Sequence, residues 1–376
     1  MGGHLSPRRL TAQQIDRVAG VLLGTAIGDA LGVPYEFGLL LPEDEMPEMT
    51  GGGLGPYGPG EYSDDTQMAV CVARGLAVHS CGREPRRTLD AVAAGFLRWS
   101  SDGASDMGNL TRRVLDEAGA LAGPPSLRCA TAARRVYERS RSAFGNGALM
   151  RTAPVGLVAL SYRDARRGRR ATARAARAVA ELTHADPRAG DACVLWSEAV
   201  RVAVLEGRFD VAAGLDLVPE SREAAGDEQQ PPDPRAWWAA EIEEASAAEW
   251  RDYRGKRNGA THASLKVAWA CIRSAAAEDE AGGATGHIRN ALEAAVRVGH
   301  DTDTVAAIAG GLLGARYGAS AFPAEWVSAV RGWSGLRDRR VLRAADLERL
   351  GVLAAHASTS EAGAGALLEA LAQVSP

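Results

Sequence analysis

Apolar residues recur along most of the chain at three- and four-residue spacing, the period of a helix with one buried face. The pattern predicts helices over about 11–31, 65–80, 86–100, 108–121, 128–140, 151–161, 170–183, 188–205, 236–248, 261–277, 286–298, 304–317, 323–331 and 344–372. Strict alternation, the mark of a half-buried strand, is absent, so no sheet is expected. In the first helix Gly20, Gly24, Gly28 and Gly32 recur every four residues. They share one face, where a neighbouring helix can approach closely; Asp29 makes the segment too polar to span a bilayer. The longest apolar run, Val305 to Ala315, is glycine-interrupted and too short to cross a membrane.

The pattern breaks in two places. Residues 38–62 are crowded with glycine and proline, including Gly51-Gly52-Gly53 and Gly58-Pro59-Gly60, and make a candidate active-site flap. Residues 219–235, with Gln229-Gln230-Pro231-Pro232, read as a polar surface insertion. No repeat or domain boundary is evident, so the 376 residues are expected to form a single all-α domain.

Composition adds little. The formal charge of −4 calls for neither nucleic acid nor an anionic membrane as an obligatory partner. Lys256 and Lys266 are the only lysines among 43 basic residues, a bias typical of a GC-rich genome. Cys71, Cys81, Cys129, Cys193 and Cys271 form no C-x-x-C pair and suit buried, reduced thiols. With no apolar signal-peptide core at the N-terminus, the expectation is a cytoplasmic protein, with a monomer favoured.

The chemistry concentrates in two short clusters. Ser63-Asp64-Asp65-Thr66 and Asp301-Thr302-Asp303-Thr304 each precede an apolar helical run. Ser, Asp and Thr are ordinary N-cap residues, so capping is the competing reading for either cluster alone. Capping needs one acceptor, however, and further adjacent carboxylates repel unless a cation is present. Four carboxylates with Ser and Thr hydroxyls form an oxygen-only ligand set, suited to Mg²⁺ or Mn²⁺ rather than Zn²⁺. Glu36 follows the first helix in an apolar setting, where a buried acid could ligate a cation or act as general acid or base. Asp106-Met107-Gly108 again places an acid before a helix. Ser142-Ala143-Phe144-Gly145-Asn146-Gly147 opens the helix expected at 151–161; such a turn can present N–H groups to a phosphate or be only a turn. Thr183-His184 ends one helix, and a lone histidine there is more often structural than a ligand.

Taken in order, these segments resemble the ADP-ribosylhydrolase family, the ADP-ribosylglycohydrolase class that includes the dinitrogenase-reductase-activating glycohydrolase. The matching blocks are Gly24-Thr25-Ala26-Ile27-Gly28-Asp29-Ala30-Leu31-Gly32, Glu36, Ser63-Asp64-Asp65-Thr66, Asp106-Met107-Gly108, Gly145-Asn146-Gly147-Ala148-Leu149-Met150-Arg151, Thr183-His184, Gly299-His300-Asp301-Thr302-Asp303-Thr304 and Ala309 to Ala315. They span about residues 16–330, leaving an insertion near 219–250 and a C-terminal extension after about 335 outside the shared blocks.

The resemblance implies an all-α, compact orthogonal multi-helix bundle with two metal ions, usually Mg²⁺, in a central cleft. It maps metal ligands to Ser63, Asp64, Asp65, Asp301, Asp303 and Thr304. Glu36 matches a flap acid, and Asp106 an acid near the scissile ribose. Gly108, Ser142, Phe144, Gly145, Asn146, Gly147 and His184 match the substrate-holding region, with Phe144 a candidate adenine-stacking ring. His300 stands where the family usually has glycine, and either crowds the cleft or contacts substrate; Ser63 replaces a common threonine. The implied reaction is hydrolysis at C1″ of ADP-ribose, with Asp64, Asp65, Asp303, Glu36 and Asp106 as candidate catalytic groups. The implied partner is an ADP-ribosylated protein, arginine-linked first. Serine, acetyl, nucleobase and small-molecule conjugates remain alternatives, as does a non-catalytic ADP-ribose-binding or toxin-neutralising protein using Trp237-Trp238. The tryptophans are expected instead to pack an extra helix against the body.

Overall fold

The computed structural model describes residues 8–79, 84–140, 144–221, 230–278, 283–335 and 340–356. Its helices are α1 (Ala12–Gly32), α2 (Asp64–Val78), α3 (Pro85–Ser101), α4 (Asn109–Gly119), α5 (Pro125–Ser140), α6 (Ala165–Ala180), α7 (Pro187–Glu206), α8 (Pro234–Ala247), α9 (Thr261–Glu278), α10 (Gly283–Arg297), α11 (Thr302–Tyr317), α12 (Ala324–Ala329) and α13 (Ala344–His356). The all-α class therefore holds. One feature departs from the expected absence of sheet: β1 (Arg331–Trp333) and β2 (Val341–Arg343) form a small antiparallel pair. At three residues each, these strands are too short to show an alternating pattern.

The core is organised around α1 and α11. They run antiparallel and almost in backbone contact: Gly20 faces Gly314, Gly24 faces Gly310, and Gly28 faces Ala306. A Cβ on Gly28 would lie 2.0 Å from the Ala306 carbonyl oxygen, and one on Gly24 2.2 Å from that of Gly310. The glycine spacing thus serves helix packing inside the protein. By length and hydropathy alone Ala12–Tyr35 could cross a membrane, but 89% of that apolar window is buried within the fold.

The far end of this seam places the site. Thr302 Oγ1 donates to the Gly32 carbonyl at 2.8 Å, tying the start of α11 to the end of α1. The segment before α2 is held by β1: Tyr62 N–H donates to the Arg331 carbonyl at 3.0 Å, and the buried Tyr62 hydroxyl donates to Gly332 and Trp333 carbonyls. α13 packs on both α1 and α2, with Leu347 and Leu350 buried. The C-terminal residues through His356 are consequently part of the core rather than an appendage.

A helix expected at 151–161 is replaced by a 3₁₀ turn, Ala153–Leu157, which follows another at Asn146–Ala148. Pro154 removes a backbone donor there. Gly156 also lies so close to α7 that a Cβ would fall 2.6 Å from Val200 Cγ1, so the chain follows α7 rather than extending. Of the expected last helix, 344–372, the structure describes Ala344–His356; the remainder lies outside the described residues.

Candidate metal and ligand cleft

Three of the α-helices, α6, α7 and α8, open on an aspartate that behaves as a cap. Asp164, Asp186 and Asp233 each accept a hydrogen bond from a backbone N–H of the helix they open. The two acidic clusters do not. Ser63 is the N-cap of α2 and Asp301 the N-cap of α11, and neither side chain accepts a backbone N–H of the helix it opens. The capping reading fails at both places, and their side chains turn toward each other.

Asp29 holds the first cluster from below. Wholly buried in α1, it accepts Ser63 N–H at 2.8 Å and Ser63 Oγ at 2.7 Å on one oxygen. Its other oxygen accepts Thr66 N–H at 2.9 Å and Thr66 Oγ1 at 2.6 Å. A carboxylate from another helix thus satisfies the free N–H groups at the start of α2. Burial raises the Asp29 pKa to about 6, although these four hydrogen bonds pull the other way.

The two clusters then meet. Ser63 Oγ lies 3.2 Å from Asp303 Oδ2, and Thr304 Oγ1 donates to Asp65 Oδ2 at 3.3 Å. Carboxylate oxygens of Glu36, Asp301 and Asp303 all lie within 4.8 Å of one another. Asp301 is held from the opposite side: Asn146 Nδ2 donates to its Oδ2 at 2.8 Å, and its N–H donates to Asn258 Oδ1 at 3.1 Å. Asn146 also donates to Ser264 Oγ at 2.9 Å.

Electrostatically the cleft is unbalanced. Burial, then mutual repulsion, pushes the carboxyls of Asp64, Asp65 and Asp303 well up from their ordinary range. Asp301 and Asp106 rise too, with burial again the largest cause. Glu36 is pushed up to about 9 by burial first, then by Asp106, Asp301, Asp64 and Asp29. Two carboxylate oxygens, Asp65 Oδ1 and Asp106 Oδ2, are shielded from solvent without a hydrogen-bond partner. Orphaned anionic oxygens among oxygen donors fit a hard divalent cation. The N-termini of α2 and α11 add partial positive charge but cannot neutralise so many acids.

The substrate-side expectations fare unevenly. Asn146 is not at an α-helix N-terminus, and its N–H is already given to the Gly259 carbonyl at 3.2 Å. The segment therefore acts as a turn paired to the strand-like stretch before α9, with Gly145 bridged to Ala260. Phe144, expected to offer a face to a base, instead carries the Arg188 guanidinium 3.9 Å from its ring centroid. It also stacks on His262, with centroids 5.1 Å apart and planes 8° off parallel. Bonds from Arg188 to the Asp186 carboxylate at 2.7 and 3.1 Å orient that guanidinium.

His184 is buried beneath the turn: a Cβ on Gly147 would meet its Cε1 at 3.1 Å. Its Nδ1 pairs with Thr183 Oγ1 at 2.8 Å. Burial, then Arg151, drives its pKa down to about 3, so the ring is neutral. His300 Nε2 donates to the Gly255 carbonyl at 2.9 Å. Its φ of +60° explains a preference for glycine at this position. Gly108 is exposed at the start of α4, and Ser142 lies outside the described residues.

On the insertion, Trp238 is fully buried and half-buried Trp237 packs against it and His262, so the pair anchors α8 to the body as expected. Sequence reasoning passed over Asp29, Asn258 and Ser264. Only Asp29 left a signal, a lone charge inside a glycine-spaced apolar helix.

A family model described as ADP-ribosylglycohydrolase matches residues 10–361. The chain belongs to the ADP-ribosylglycohydrolase family. The match extends beyond the 16–330 span of the motif blocks and takes in α13, in keeping with its packing. Among relatives of this glycohydrolase, the ADP-ribosylarginine hydrolase Tri1 of Pseudomonas putida (strain GB-1) is 30% identical over 332 residues, covering 86% of this chain and 76% of that protein. The ADP-ribosyl-[dinitrogen reductase] glycohydrolase of Rhodospirillum rubrum is 26% identical over 329 residues, covering 83% and 90% respectively. A solved structure titled ADP-ribosylglycohydrolase-related protein complex superposes with a TM-score of 0.62 at 26% identity, covering 93% of this chain and all of that one. The protein is accordingly a hydrolytic enzyme of the ADP-ribosylglycohydrolase type.

Proposed function

We propose that this enzyme removes ADP-ribose from modified proteins by metal-assisted hydrolysis at C1″, with arginine-linked ADP-ribose as its substrate. The observation that carries the metal dependence is the meeting of two uncapped acidic helix starts around an orphaned buried oxygen, Asp65 Oδ1. The arginine linkage rests on the similarity to proteins named ADP-ribosylarginine hydrolase, from Pseudomonas putida and from Serratia proteamaculans.

Ser63, Asp64, Asp65, Asp301, Asp303 and Thr304 would hold two Mg²⁺ or Mn²⁺ ions, with Glu36 at the flap side. Bound ions would supply the positive charge the cleft lacks and bring a water pKa toward neutrality. The chain's own residues do the rest. Asp29 fixes the hydroxyls of Ser63 and Thr66, and Asn146 with Asn258 fixes Asp301. Glu36, with a carboxylate oxygen within 4.8 Å of those of Asp301 and Asp303, is placed to hold an ion or to give a proton to the departing nitrogen. Bond breaking builds oxocarbenium character on the ribose, which the surrounding carboxylates favour.

The test is release of free ADP-ribose from arginine- and serine-ADP-ribosylated proteins, with Mg²⁺ and with EDTA. Release from the arginine conjugate that stops in EDTA is expected. Release only from the serine conjugate would reassign the linkage, and EDTA-resistant release would overturn the metal role.

A further inference from the structure

Glu36 opens a segment unlike the rest of the surface. Among the described residues eight large apolar side chains stand exposed, and five of them lie within residues 37–54: Phe37, Leu39, Leu40, Met46 and Leu54. Leu39 is 95% exposed. Isolated exposed leucines are ordinary, but a concentration on one short segment marks an interaction surface. The same segment is acidic. The chain has 43 lysines and arginines, yet none falls between Arg17 and Arg74. Residues 36–62 carry Glu36, Glu43, Asp44, Glu45, Glu48 and Glu61. Glu43 pairs with Arg251 at 3.6 Å, and Glu61 accepts the Gly58 N–H at 2.8 Å. The side chains of Asp44, Glu45 and Glu48 are exposed and have no ion-pair partner among the described residues.

The segment is tied to the cleft rim through its backbone and through Leu40, which lies against Gly299, and Met46, whose Sδ is 3.6 Å from Arg297, while Phe37, Leu39 and Leu54 stay the most exposed. Phe37 N–H donates to the His300 carbonyl at 2.7 Å, next to Asp301. Arg254 donates to the Leu41 carbonyl at 2.7 Å, and Arg297 to the Glu45 carbonyl at 2.8 Å. Charge then decides which part of a conjugate can lie here. The pyrophosphate of ADP-ribose is anionic and is repelled by this rim, whereas a cationic polypeptide is drawn to it.

We propose that residues 37–54 form a docking surface for the polypeptide of the modified protein, and that it selects a basic, partly apolar segment around the modified residue. The inference rests on reading the cleft as an ADP-ribosyl-protein site and adds the recognition of the protein half. The competing occupant is a second copy of this chain, whose α6 exposes Arg166, Arg167, Arg170 and Arg174.

The experiment compares free ADP-ribosyl-arginine with two ADP-ribosyl-arginine peptides, identical except for lysine/arginine or aspartate/glutamate flanks. The wild-type enzyme should favour the basic peptide by roughly tenfold in kcat/KM, less so at high salt. The triple variant Asp44→Asn, Glu45→Gln, Glu48→Gln should lose this preference through KM with kcat unchanged. Leu39→Ser with Leu54→Ser should raise KM for both peptides several-fold. Free ADP-ribosyl-arginine should be turned over equally by all three proteins. Equal KM values for the two peptides with the wild type, or flap variants that only break a dimer in sedimentation, would overturn the proposal. If none of the three substrates is hydrolysed, the hydrolase reading fails separately. Anisotropy of the labelled peptides on Asp65→Asn protein then decides docking without turnover, and equal affinity for basic and acidic flanks would reject it.

Discussion

The two acidic clusters look alike in sequence and are supported in opposite ways. Ser63 to Thr66 rests on a buried carboxylate, Asp29, which takes four hydrogen bonds from inside α1. Asp301 to Thr304 rests on neutral amides, Asn146 and Asn258, carried by loops more than forty residues away in sequence. A carboxylate orients hydroxyls as donors away from the first cluster's own acids. The Asn146 N–H donated to Asp301 opposes part of the upward pull of burial on that carboxyl. Similar acidic clusters can therefore rest on dissimilar scaffolds, one keyed to a core helix and the other to a loop junction.

The comparison is broken most completely at the acids themselves. Asp65→Asn and Asp303→Asn should each lower kcat by about 10³-fold or more, since several kcal/mol of charge stabilisation is lost. Circular dichroism should stay helical; retained turnover in either would remove that cluster from the site. The supports come next. Asp29→Asn should cost about 10–100-fold in metal affinity or activity, as loss of an outer partner does. Asn146→Ala should cost less, about tenfold, because Asn258 still holds the Asp301 backbone. Metal titration of both variants would show the asymmetry directly, and equal losses would contradict it.

A third change touches neither cluster. Gly28→Ala places a methyl group 2.0 Å from the Ala306 carbonyl, so α1 and α11 must separate. A destabilisation of about 1–3 kcal/mol is expected by chemical denaturation, with activity falling as the clusters move apart.

pH probes both clusters together. Their carboxyls have folded pKa values raised above the unfolded ones, so they contribute stability at low pH that is lost as pH rises through the folded values. For Asp29 that loss runs from the ordinary carboxyl range up to about 6, and for Glu36 up to about 9. Thermal midpoints in EDTA should thus fall from pH 5 to pH 9, and Mg²⁺ should flatten the slope. A midpoint that rises with pH in EDTA would mean these acids are not the buried, mutually repelling set described. The smallest effect is expected at His300. His300→Gly relieves about 1 kcal/mol of left-handed backbone strain and loses one hydrogen bond of similar worth, leaving stability nearly unchanged. His300→Ala keeps the strain and should be the less stable of the two.

Much of this was legible in the chain. Periodicity located the helices because most bury one continuous face, and the glycine spacing of α1 foretold a close helix pair. The clusters pointed to an acidic, oxygen-lined cleft because capping needs one acceptor and further adjacent carboxylates repel. The failures have local causes. Residues 151–161 kept an apolar pattern but lost their helix to Pro154 and to contact with α7 at Gly156. Phe144, which the resemblance offers as an adenine-stacking ring, carries Arg188 and stacks on His262, and nothing in its neighbourhood of sequence reveals either. His300 stayed open between crowding the cleft and contacting substrate because its positive φ and its bond to Gly255 are tertiary facts.

The sequence by itself determined the helical class, the family blocks and the residue types able to hold a hard cation, since periodicity and side-chain chemistry are local properties. Only the tertiary structure decided that neither cluster caps its own helix and that Asp29 supports one while Asn146 and Asn258 support the other. It alone set an acidic, apolar flap along the rim. Those outcomes depend on which helix ends meet in space, and α1, α2 and α11 meet because glycines along α1 let two backbones touch.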